Sequence, residues 1–203
     1  MGSLIVLEGI EGCGKSTQAK MMASWLESQG NKVHLTKAPG GTTIGKTIRE
    51  FILHSGEEIN SHAELLLMKA DEAQLVHEIK KKLDEDYIVI CDRFACYSSI
   101  AYQGYGRGID LDLIYSLNEI STQGLEPDYL FIIDVDNVEK CLERSKKSSG
   151  RYDRFESLPK DFHLKVQEAY RTMHYSYSHL IDGNGTVNEI FEKIKKIWKA
   201  ENE

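Results

Sequence analysis

The densest chemistry in the chain lies near its amino terminus. Gly9-Ile-Glu-Gly-Cys-Gly14-Lys15-Ser16 fits the pattern G-x4-G-K-S/T. That spacing lets a glycine-rich backbone turn its N–H groups inward around phosphate oxygens. Lys15 then reaches the terminal phosphates, and the Ser16 hydroxyl is placed as a ligand for Mg2+. The start of the following helix adds partial positive charge. Gly9, Ile10, Glu11, Gly12, Cys13, Gly14, Lys15, Ser16 and Thr17 are therefore expected to hold ATP or GTP.

A second set of candidates follows the apolar run Tyr87-Ile-Val-Ile-Cys91. At the carboxyl end of a parallel strand, beside the phosphate loop, ligand groups collect. Asp92 there can hold magnesium through water or orient a nucleophile, and Arg93 can clamp a second phosphate. The same two residues also read as a structural ion pair. Downstream, Ser98-Ser-Ile-Ala-Tyr-Gln-Gly-Tyr-Gly-Arg-Gly108 offers aromatic, amide and hydroxyl groups suited to a base and a sugar. Residues 144–154 hold five positive charges and one negative. Such a segment fits a lid that closes over phosphates and excludes water, or else a solvated basic loop. Met68-Lys-Ala-Asp71 has the K-x-D spacing of guanine readers, but Met replaces their Asn and the segment reads as helix.

Short apolar runs bounded by turn or charged residues must position these groups. Strands are expected at Leu4–Glu8, Lys32–Lys37, Tyr87–Asp92, Tyr129–Asp134 and His179–Asp182. Helical patterns fill 18–29, 43–54, 61–83, 109–121, 162–177 and 187–199, and a further helix begins at Val138 and runs to Arg144. Ser61, with Glu64 three residues on, reads as a capping box. The glycines at 104, 106 and 108 make the end of 94–108 read as loop, and 145–154 reads as a polar, mobile stretch. Strands alternating with helices give βαβ units, and continuous apolar strands fit a sheet covered on both faces. The expected fold is α/β, three-layer α/β/α with a five-stranded parallel sheet of the P-loop NTPase type. It forms a single domain over 1–203, with a lid at about 144–156.

The 203 residues include 32 Asp and Glu against 25 Lys and Arg, a net charge of −7. An acidic chain makes a poor non-specific partner for nucleic acid polymers or anionic lipid. No apolar run approaches the ~18 residues a membrane span needs. Val6 stands where an N-terminal lipidation signal needs Ser or Thr, and no signal peptide precedes Leu4. Cys13, Cys91, Cys96 and Cys141 show no metal-ligand spacing and read as reduced, buried thiols of a cytoplasmic protein. The positive charge gathers in 144–154, so distribution rather than sum points to nucleotides.

Taken in order, the phosphate loop, Ala38-Pro-Gly-Gly-Thr42, Ala63-Glu-Leu-Leu-Leu67, Asp92-Arg-Phe94 and Ser98–Asp110 resemble the bacterial thymidylate kinases. Pro127-Asp128 and Asp153-Arg-Phe-Glu156 extend the resemblance over essentially the whole chain. It implies transfer of the γ-phosphoryl group of ATP to dTMP, with Mg2+ and as a homodimer. By position, Glu11 would contact the deoxyribose 3′-hydroxyl. Arg49 and Arg93 would hold the dTMP phosphate, and Pro39, Ser98, Ser99, Tyr102 and Gln103 would shape the substrate pocket. Ser16 and Asp92 would serve the metal, and Lys15, Asp92 and Arg93 the chemistry. With Glu11-Gly12 in place of an Asp-Arg pair, the loop resembles the subtype that takes its catalytic arginine from the lid. Arg151 and Arg154 are the candidates, with Arg144 placed on ATP.

Three features depart from that pattern. Met68 stands where the family has the Phe that stacks on thymine, and Glu72 where many members have an Arg. Ten positions separate Asp92 from Tyr102 instead of nine. Lys37-Ala38 also replaces Arg-Glu. A carboxylate at 72 repels a thymine carbonyl and suits an amino group. Either Glu72 points away, or the pocket takes another deoxypyrimidine monophosphate (dUMP- or dCMP-like), or the helix is shifted in register. A non-catalytic nucleotide-binding regulator is the distant alternative.

Overall fold

The computed structural model describes residues 2–149 and 153–202, without the side chains of 148 and 149. Five parallel strands form one sheet in the order β2-β3-β1-β4-β5. They are β1 (Ser3–Glu8), β2 (Val33–Lys37), β3 (Ile88–Asp92), β4 (Tyr129–Asp134) and β5 (Ser178–Asp182). The central strands β1 and β4 are buried almost throughout, which is why their sequences are apolar without alternation. The edge strands β2 and β5 alternate with more exposed residues.

Helix α1 (Lys15–Ser28) and helix α8 (Val187–Asn202) pack together on one face. The other face carries α3 (Ser61–Asp84) and α7 (Lys160–Thr172). The remaining helices are α2 (Thr43–His54), α4 (Ala95–Ser99), α5 (Leu111–Thr122) and α6 (Val138–Ser149). The α/β fold with a five-stranded parallel sheet is the one the sequence predicts. Register brings Leu7, Lys37 and Asp92 level at the carboxyl edge, with Glu8 beside Ile132.

Local chemistry shifts several boundaries. Helix α1 begins at Lys15, earlier than expected, because Gly14 caps it in the left-handed region and hands its carbonyl to Thr17 and Gln18. The expected loop before residue 108 is helical instead. After α4 the chain winds as a π-helix over Ile100–Gly106, with Arg107 N–H donating to the Tyr102 carbonyl. A Cβ at Gly106 would meet the Phe162 ring at 2.5 Å, so this glycine serves close packing rather than a turn. The Ser61 capping box does not form, because Asn60 caps α3 by accepting from His62 N–H and Glu64 turns inward. Helix α7 stops at Thr172, short of Tyr177; Tyr175 and Tyr177 stack in the following turn. Helix α6 continues to Ser149, through the first part of the stretch expected to be mobile.

All four cysteines are free and buried. Among the described residues no helix is long and apolar enough to cross a membrane.

Candidate functional site

The phosphate loop leaves β1 and enters α1. Gly12 adopts φ +70°, and a Cβ there would strike the Cys141 backbone, so the loop is pressed against α6. Lys15 folds back over the loop, its Nζ donating to the carbonyls of Gly9 at 2.9 Å and Ile10 at 2.6 Å. Ile10 and Cys13 bury their side chains and leave only backbone for a ligand, while Thr17 is exposed. Ser16 Oγ donates to Asp92 Oδ2 at 2.5 Å, joining α1 to the end of β3. A hydroxyl beside a carboxylate is a pair of hard oxygen donors of the kind magnesium takes.

Arg93 follows at φ +73°, an uncommon conformation for a residue with a side chain. Its backbone N–H donates to the Leu7 carbonyl at 2.9 Å. Its guanidinium is held from several sides: Nη2 donates to Glu11 at 2.9 Å and to the Tyr102 hydroxyl at 3.0 Å, and Nη1 to the Tyr170 hydroxyl at 3.2 Å. The Tyr102 ring lies under the guanidinium at 5.1 Å. Burial opposes the charge, but Tyr102, Glu11, Tyr170 and Glu8 together outweigh it and hold Arg93 above its ordinary value. Burial likewise pushes the Glu11 carboxyl up, and Arg93, Lys15 and the Tyr102 hydroxyl more than reverse it, so Glu11 sits below its usual range.

A cavity of about 450 Å3 joins these groups. Its lining includes Glu11, Gly12, Lys15, Ser16 and Asp92 on the phosphate-loop side. It also includes Pro39, Arg49, Met68, Arg93, Ser98, Ser99, Tyr102 and Gln103. The ten-residue spacing from Asp92 to Tyr102 is absorbed by continuous helical winding, and Tyr102 still meets Arg93. Lys69 and Asp71 of the K-x-D decoy are buried within α3.

Four further sequence candidates are not among the residues that line the cavity. Glu72 does not face the cavity: it is fully buried, ion-paired to Lys69 at 2.8 Å and accepting from Cys96 N–H at 2.5 Å and Ser121 Oγ at 2.6 Å. Those donors satisfy its carboxylate within the α3–α4–α5 interface. Arg154 is not among the cavity-lining residues; its guanidinium pairs with Glu64 and reaches the Ile59 carbonyl. Arg144 is exposed along α6, with Nη2 on Cys141 Sγ at 3.1 Å. Arg151 lies outside the described residues.

Sequence reasoning missed Glu8, Tyr170, Asp71 and Glu64. Glu8 is fully buried and accepts from Phe94 N–H and Ser98 Oγ, each at 2.8 Å, and from the Tyr170 hydroxyl at 2.7 Å. Burial raises its carboxyl. A lone acid ending an apolar strand was a readable signal for Glu8; nothing local marks Tyr170. Asp71 accepts from Gly40 N–H at 3.0 Å and so pins the Pro39–Gly41 turn. Lys20 and Lys37 also line the cavity.

The family model described as Thymidylate kinase matches residues 7–194. A thymidylate kinase of Trichodesmium erythraeum is 41% identical over 216 residues, covering 97% of this chain and 95% of the relative. One from a Nostoc species is 42% identical over 202 residues, with the same coverage of 97% and 95%. The crystal structure of a thymidylate kinase from Ehrlichia chaffeensis superposes with a TM-score of 0.79 at 31% identity, covering 97% of this chain and 98% of that one.

Proposed function

The chain belongs to the thymidylate kinase family, and on that premise we propose that it transfers the γ-phosphoryl group of ATP to dTMP, giving dTDP and ADP. One observation carries the reading: a phosphate loop and two further arginines, Arg49 and Arg93, line the same cavity. A single-nucleotide switch needs only the first of these; a phosphoryl transfer between two nucleotides needs both.

Residues 9–17 cradle the ATP phosphates through backbone N–H groups, with Lys15 swinging from its loop carbonyls to the terminal phosphates. Arg93 and Arg49 hold the dTMP phosphate, and Glu11, already bonded to Arg93, accepts from the deoxyribose 3′-hydroxyl. Ser98, Ser99, Tyr102 and Gln103 surround the nucleoside, and the Met68 thioether packs on the base. Ser16 and Asp92, hard oxygen donors side by side, would hold Mg2+. That ion would neutralise charge on the phosphate oxygens. Positioning and charge neutralisation, with little proton chemistry, are what this transfer asks of a protein.

Segment 144–156 forms the lid, anchored through Arg154. The enzyme acts in the cytoplasm as a homodimer, and the exposed Leu66 of α3 with Tyr115 and Ile120 of α5 supplies an apolar surface for pairing. The withdrawal of Glu72 from the cavity removes the ground for a cytosine-type substrate. The test compares kcat/KM for dTMP, dUMP and dCMP, with ATP and Mg2+ and ADP release as readout. A clear preference for dTMP is expected; better turnover of dCMP, or none with any of the three, defeats the proposal.

A further inference from the structure

Helix α7 carries a histidine that the transfer described above does not use. His163 is fully buried, and neither ring nitrogen makes a hydrogen bond of ordinary length among the described residues. Packing alone would be met by an apolar side chain, as at Phe162, Val166 and Ala169 of the same helix. A buried polar ring without partners is costly, so a polar residue here calls for a use.

Its surroundings supply one. His163 Nδ1 lies 3.7 Å from Glu11 Oε2, just beyond a hydrogen bond. Burial, with the Lys146 ammonium, holds the imidazole below its ordinary value against the pull of Glu11 and of the Leu158 and Phe155 backbones. The ring is therefore uncharged at neutral pH and has one N–H to give. Two turns on, along the same face of α7, the Tyr170 hydroxyl accepts from Arg93 Nη1 at 3.2 Å. The Glu11–Arg93 pair is thus approached from α7 at both ends.

A carboxylate offers about four acceptor positions. On Glu11, Arg93 Nη2 takes one at Oε1 at 2.9 Å, and the Tyr102 hydroxyl lies 2.6 Å from both oxygens. The remaining capacity is on Oε2, the oxygen that faces His163.

We propose that His163 is a positioning residue for the sugar end of the substrate. Its Nδ1–H closes onto Glu11 Oε2 and fixes the carboxylate plane, so that the last acceptor position points at the 3′-hydroxyl. The terminal torsion of a glutamate is broad, and Arg93 and Tyr102 restrain it from one edge only. A third donor on the other oxygen stops the rotation. With the plane fixed, a sugar that brings a hydroxyl completes the set, and one that brings none leaves a buried acceptor unpaired. The inference deepens the proposed use of dTMP, with Glu11 at the sugar, and rests on it.

The test measures kcat/KM for dTMP and for its 3′-deoxy analogue in wild type, His163→Leu, His163→Asn and His163→Gln. Asparagine places an N–H close to where Nδ1 stands, glutamine places it nearer Nε2, and leucine removes it. The preference for dTMP over the 3′-deoxy analogue should fall about 3- to 30-fold with leucine or glutamine, the effect of one misplaced hydrogen bond to a charged group. Asparagine should keep that preference within about 2-fold of wild type. The glutamine variant answers the question even where leucine folds poorly. A role in packing alone lowers both nucleotides in parallel and leaves the ratio unchanged; that result overturns the inference, as does a ratio lost equally with asparagine. Wild-type protein that takes both nucleotides equally, or neither, strikes the functional reading on which the inference stands.

Discussion

Replacing Asp71 with asparagine probes how a buried acid supports the substrate loop. Asp71 Oδ1 accepts from Gly40 N–H, while Oδ2 is buried with no partner among the described residues. Burial pushes its carboxyl up from 3.8 to about 6, aided by Glu72 and opposed by the Gly40 N–H and Arg49. The folded state therefore binds the proton more tightly than the unfolded chain. Stability from this group is present below about pH 4 and falls as the pH rises through about 6, by roughly 3 kcal/mol in all. About half of that, ~1.4 kcal/mol, falls between about pH 5 and about pH 8.

Asparagine keeps an oxygen for Gly40 but does not titrate. Its NH2 group meets the same partnerless site, which costs about 1–3 kcal/mol at every pH. The absolute stability of the variant is thus a poor readout and the pH dependence a clean one. Urea unfolding of wild type and Asp71→Asn at about pH 5 and about pH 8 should show the difference moving in favour of asparagine by ~1.4 kcal/mol at the higher pH. In melting temperature that is about 3–6 °C for a chain of this size. A difference that stays constant across the range refutes the assignment, and one that moves the other way means the carboxylate is stabilised as an anion.

Arg93→Lys should lower kcat/KM for dTMP by about 100-fold, because an ammonium cannot reproduce a fork shared among Glu11, Tyr102 and a phosphate. The KM for ATP should change little; equal losses on both substrates would place Arg93 elsewhere in the reaction. Met68→Phe should lower the KM for dTMP by about 2- to 10-fold with kcat nearly unchanged, since a ring face adds stacking worth about 0.5–1.5 kcal/mol. A raised KM would show that the pocket is already filled by the thioether.

What was legible in the sequence was local. The phosphate loop declared itself through eight consecutive residues, and Asp92-Arg93 through its place at the end of an apolar strand. The parallel sheet followed from strands without alternation. Readings that failed had partners far along the chain. Glu64 fitted a capping box until Gln103, Arg107 and Arg154 claimed its oxygens. Of the readings open for Glu72 the one that turns it away from the base holds, and Lys69, Cys96 and Ser121, which enclose it, could not be named from the sequence. The glycines of 104–108 signalled a loop because local composition cannot distinguish a glycine needed for a turn from one needed where Phe162 passes. In each case a tertiary contact outweighed a local preference.

A site for polyanions that surrounds its arginines with acids looks self-defeating, since every carboxylate weakens the pull on phosphate. The geometry of Arg93 answers this. A free arginine has many rotamers, and ordering it on binding costs affinity. Glu11, Tyr102 and Tyr170 impose that order during folding, and Glu8 in turn holds Tyr170 and the Phe94 N–H. The backbone at Arg93, in a conformation that side chains rarely adopt, is over-determined by the same contacts. Glu64 does for the Gln103 amide what Glu11 does for Arg93. Part of the chain's acidic excess is therefore internal, spent on orientation, and the cations keep enough charge for phosphate because each carboxylate is shared with hydroxyl, amide or backbone donors.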